Sequence, residues 1–103
     1  MQRIEKILAM LEADDTDSFL QHALALEYIK IGKLENAKMR FEKLLRENEN
    51  YTGSYYQLAK IYEGEGDDHE AIRVYEKGME RAKAAGDTLS YNEMKSAYEE
   101  LIY

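Results

Sequence analysis

The chain has 103 residues, with 14 basic and 21 acidic side chains, a formal charge of −7, and no cysteine, proline or tryptophan. These totals suit one small domain that buries its core without staples, and they exclude a thiol nucleophile, a disulfide frame and a thiolate metal site. The acid surplus repels phosphate backbones and anionic head groups, no local basic patch is evident in the sequence, and without proline only glycine interrupts a nearly all-helical chain.

Met1 to Ala13 carries Ile4, Ile7, Leu8, Met10 and Leu11 at helical spacing, with Arg3, Glu5, Lys6 and Glu12 outside that stripe. Its apolar run, Ile7 to Leu11, and the next, Ala23 to Leu26, fall far short of the ~20 residues of a bilayer span. Glu5 and Glu12 also spoil a signal-peptide reading. A soluble cytoplasmic protein is therefore expected.

Asp14-Asp15-Thr16-Asp17-Ser18 ends the first helix and offers N-caps to the second. That second helix, Ser18 to Ile31, is apolar on almost every side, which predicts cover by several neighbours. Gly32-Lys33 makes the turn, and Leu34 to Asn48 returns with Ala37, Phe41, Leu44 and Leu45 inward and Lys38, Arg40, Glu42, Lys43, Arg46 and Glu47 outward. Tyr51 to Glu63 opens a second hairpin, and Gly64-Glu65-Gly66 turns it. Asp67, three residues before Glu70, is an acidic capping box for a helix that carries Ala71, Ile72, Tyr75, Met79 and Ala82 and runs through Ala84. After Gly86-Asp87, Ser90-x2-Glu93 reads as a second capping box, and Leu89, Met94, Ala97, Tyr98 and Leu101 are expected inside. The count is six helices.

One pattern organises this order. Leu24-Ala25-x2-Tyr28-x3-Gly32-x4-Ala37-x3-Phe41 returns 34 positions later as Leu58-Ala59-x2-Tyr62-x3-Gly66-x4-Ala71-x3-Tyr75. A period of that length, with small residues between large apolar ones, describes a helical hairpin stacked on a copy of itself. Shifted by the same interval, Ile7, Met10 and Leu11 fall on Phe41, Leu44 and Leu45, so the opening helix reads as half a unit. The last helix leaves the register, as a cap does.

These residues resemble the tetratricopeptide repeat family. The family's leucine corresponds to Leu24 and Leu58, its tyrosine to Tyr28 and Tyr62, its second-helix alanine to Ala37 and Ala71, and its large aromatic to Phe41 and Tyr75. Departures are Ala25 and Ala59 for its glycine, Gln21 and Tyr55 for its first tryptophan, and Glu49 and Lys83 for its closing proline. The resemblance implies an all-α solenoid of helix-turn-helix hairpins: one domain over 1–103, with a half repeat at 1–16, repeats at 18–51 and 52–85, and a capping helix at 86–103. It also implies a protein–protein interaction scaffold or adaptor that receives a partner peptide or helix in a concave groove lined by the first helices.

Helical spacing sets Phe19, His22, Leu26, Ile29 and Lys33 along one strip of the first unit, and the repeat offset sets Gly53, Tyr56, Lys60 and Glu63 in the equivalent strip of the second. The partner-contact candidates are Phe19, His22, Leu26, Ile29, Tyr56 and Lys60. His22 and Tyr56 stand 34 apart and so occupy equivalent places, able to read a peptide carbonyl or to edge the core. The apolar strip has three open readings: a partner segment, a homodimer contact in a self-assembling structural protein, or cover by the chain's own last helix. The family's carboxylate clamp is not implied, because His22, Leu26 and Gln57 stand where its lysines and asparagines would be.

No cofactor or metal is expected. Neither the acidic stretch from Asp14 nor the one from Glu63 to Asp68 gives a full calcium loop: after Asp15 and Asp17 Leu20 stands in place of the turn glycine, no bidentate glutamate follows at the required distance, and both stretches coincide with turns that the repeat explains. Gly64-x-Gly66 has neither the strand nor the lysine of a phosphate loop. No serine or histidine stands in a catalytic constellation, so an enzyme is not expected.

Overall fold

The computed structural model describes residues 2–103, apart from the side chain of Gln2. It contains α1 (Gln2–Ala13), α2 (Ser18–Lys30), α3 (Leu34–Glu47), α4 (Gly53–Gly64), α5 (Asp68–Ala85) and α6 (Thr88–Ile102), with no strand among the described residues. Their contacts form two compact units, Met1–Asn48 and Glu49–Tyr103.

In the first unit α2 lies against both α1 and α3. Ile4, Ile7 and Leu11 of α1 bury themselves around Leu24, with Leu20, Ala23 and Tyr28 partly buried at the edge. Leu8 and Met10, expected on the same stripe, are exposed. Ala25 of α2 and Ala37, Phe41 and Leu44 of α3 have no exposed surface; small residues let hairpin helices approach closely while large ones fill the remaining space. α2 thus has several neighbours, as its apolar faces predict, while Phe19 at its head is 69% exposed.

The hairpin turns are Schellman motifs. Lys33 N–H donates to the Tyr28 carbonyl (2.9 Å) and Gly32 N–H to that of Ile29 (3.0 Å). In the second unit Asp67 bonds to Tyr62 (2.9 Å) and Gly66 to Glu63 (3.0 Å) in the same way. Both geometries put the glycine at positive φ, 77° at Gly32 and 78° at Gly66, which side-chain-bearing residues resist. Asp17, Asp67 and Asp87 cap α2, α5 and α6 by accepting from the N–H groups of Leu20, Glu70 and Ser90. Asp87, rather than Ser90, therefore starts the last helix.

The second unit packs α5 against α4 and α6. Ala59, Ala71, Tyr75, Ala82 and Met94 are fully buried, and Tyr55 is nearly so. Leu89 is 83% exposed, since five residues of helix rotate it about 140° away from Met94. α4 starts at Gly53 and not at Tyr51 because its entry is tighter than an α-turn: Ser54 N–H bonds to Tyr51 and Tyr55 N–H to Thr52, three residues back. The Thr52 hydroxyl donates to Asp87 at 2.6 Å, tying the head of α4 to the cap of α6.

Candidate contact surfaces on α2 and α4

The rotation of α2 is set by Gln21, which has no exposed surface. Its amide donates to the Asp15 carbonyl at 2.6 Å and to the Glu47 carboxylate at 3.0 Å. With Gln21, Leu24 and Ala25 turned inward, the strip at 19, 22, 26 and 29 is left at the margin. Phe19 is exposed, and His22, Leu26 and Ile29 are half-buried. The His22 ring meets Phe41 edge-on, 5.6 Å between centroids. Burial holds the His22 pKa below its usual value, so at neutral pH it presents an uncharged imidazole with one donor and one acceptor.

On α4 the strip is polar and already bonded. Tyr56 is half-buried, with its ring 6.4 Å from that of Tyr75. The Lys60 ammonium lies 5.8 Å from the Tyr56 ring centroid and 3.6 Å from the Glu63 carboxylate. Glu63 also accepts from the buried Tyr75 hydroxyl. A partner that recruits Lys60 must compete with both Tyr56 and Glu63.

Three features escaped the sequence reading. Gln21 appeared only as a departure from a pattern, although a polar residue at a core position signals a buried network. Gly78, in the middle of α5, stands where any added Cβ would run into Tyr55 and Met94. Asn36, Met39, Arg40, Lys43 and Arg46 share one side of α3 and, with Tyr28, line a cleft of about 240 Å³. That cleft corrects the expectation of no basic patch, and steps of three and four residues were its legible sign.

Two helical hairpins carrying one 34-residue pattern define an all-α helical-repeat protein of the solenoid class. The tetratricopeptide repeat model matches residues 20–51 and 52–85, and the chain belongs to that family. Two structures of a tetratricopeptide repeat domain protein from Salinibacter ruber are similar to it at 33% identity, each covering 82% of this chain. The solution structure has 86% of its own length matched at a TM-score of 0.79, and the crystal structure 96% at 0.80. A Bordetella parapertussis protein shares the fold at 23% identity, with a TM-score of 0.82 over 96% of this chain and 86% of its own. No curated protein matches the chain in sequence. Tetratricopeptide repeats generally mediate protein–protein interaction and are typically non-catalytic. No helix among the described residues is long and apolar enough to cross a membrane.

Proposed function

We propose that this protein is an interaction scaffold that receives an extended or helical segment of a partner protein on the first helices of its hairpins. Phe19, His22, Leu26 and Ile29 supply the contacts from α2, and Tyr56 and Lys60 supply those from α4. The observation that carries the reading is Phe19, 69% exposed at the head of a helical strip that continues through half-buried Leu26 and Ile29. A single exposed apolar residue is ordinary, whereas one in line with further apolar side chains forms an anchor surface for a partner. In the same proposal α1 serves as a half repeat laid on α2, and α6 covers the second hairpin.

Affinity capture with the wild-type chain, with Phe19→Ser, and with Leu26→Asp plus Ile29→Asp tests this, provided circular dichroism shows helicity kept. Partners should be retained by the wild type and lost by both variants. Equal retention removes the strip from the function. A dimer in sedimentation that dissociates in the same variants would instead make the strip a self-association surface.

A further inference from the structure

α3 bears a charged cleft on the side that the interaction strip does not use. Asn36, Arg40 and Lys43, like Met39, Lys43 and Arg46, are spaced by three or four residues along one side of α3, and Tyr28 of α2 closes the space. No carboxylate lines it. α3 has four cations against three acids in a chain where acids prevail by seven. Lys38 is held by Glu35 at 3.3 Å and Lys43 by Glu47 at 2.8 Å. No salt bridge holds Arg40 or Arg46 among the described residues, and Arg46 acts on Glu47 only through its charge, whereas Arg3, Arg73 and Arg81 each pair directly with a glutamate.

Two guanidinium forks facing one cleft suit planar carboxylates, which they grip through paired N–H donors. Met39, 63% exposed, adds an adaptable apolar surface beside them. A lone inorganic anion would use the charge and leave the methionine bare. A nucleic acid would want a longer row of cations interleaved with open rings. At about 240 Å³ the cleft is below the size of a drug-like pocket and suits one or two side chains. We infer that the α3 cleft docks an acidic segment of a partner protein, with a glutamate or aspartate carboxylate between Arg40 and Arg46 and an adjacent apolar side chain on Met39. This surface is independent of the strip on α2.

The probe is a labelled six-residue peptide of alternating glutamate and leucine, titrated by anisotropy and by amide shift mapping at about 20 and about 150 mM salt. Shifts should cluster on residues 36–46, and affinity should fall when salt rises. Arg40→Gln with Arg46→Gln should weaken binding roughly tenfold or more, and the lysine pair at the same positions should restore only part, because it returns charge without the fork. Lys95→Gln and Phe19→Ser should leave the affinity unchanged. No binding at low salt, unchanged affinity in the arginine variant, or shifts centred on α2 would overturn the inference. So would competition by sulfate, or by a short single-stranded oligonucleotide, as effective as that of unlabelled peptide.

Discussion

Replacing Gly78 by alanine tests the packing of the second unit at its tightest point. A methyl group built at Gly78 falls 2.5 Å from the Met94 sulfur and 2.6 Å from Tyr55 Cβ. The thioether of Met94 has some freedom to swing, although its side chain is fully buried. Tyr55 Cβ is attached to the α4 backbone, and its hydroxyl is anchored at the Glu49 carbonyl at 2.6 Å. Relief therefore requires α4 and α5 to separate. Overpacking of this kind costs roughly 2–3 kcal/mol, against which alanine returns about 1 kcal/mol of helix propensity. The net is a loss of roughly 1–2 kcal/mol, or roughly 5–15 °C in Tm for a domain of this size. Urea titrations followed by circular dichroism measure the difference. Gly64→Ala serves as the control, because nothing lies within 4 Å of its added carbon. A Gly78→Ala protein as stable as the wild type would refute the argument.

Gln21→Glu places an acceptor-only carboxylate against the Asp15 carbonyl and Glu47. It should cost about 3 kcal/mol at neutral pH, and the gap to wild type should narrow as acid protonates the new group; a gap independent of pH contradicts this. His22, whose pKa burial lowers, disfavours its charged form in the fold. Its share of stability is present above the ordinary value of about 6.5 and is lost as pH falls below it; an imidazole NMR titration midpoint at or above that value would be inconsistent. Tyr55 is pushed up to about 12 by burial, with the Glu49 charge adding to it, against about 10 in the unfolded chain. Both states are neutral below about 10, so stability holds there and falls as pH rises toward 12, where the unfolded chain ionises first. An ultraviolet phenolate titration in which every tyrosine ionises near 10 would exclude that environment.

What was legible in the sequence was local. Gly32 and Gly66 announce their turns because positive φ selects glycine whatever surrounds it. Asp17 and Asp67 announce their helix starts because a short acceptor reaches an N–H three residues ahead. Asp87 was missed in favour of Ser90, although both stand near the break; the choice depends on a carboxylate that also accepts from Thr52 at the head of α4. Leu89 was placed inside by its chemistry alone, when its rotation from Met94 already argued otherwise. The strip on α2 could be written from spacing, but spacing gave no measure of its exposure. The tight fit at Gly78 is a property of neighbours in α4 and α6, far away along the chain, and the cleft on α3 needs Tyr28 of α2 to close it.

The amino-acid order by itself determined six helices, their turns and a 34-residue hairpin unit, because helix period, caps and left-handed glycines act over a few residues. Only the tertiary structure decided which side of each helix stays open. Phe19 remains outside while Gln21, two residues on, is buried with bonds to a loop carbonyl and to the end of α3. Exposure depends on what the chain brings against a surface, and no periodicity along one helix carries that information.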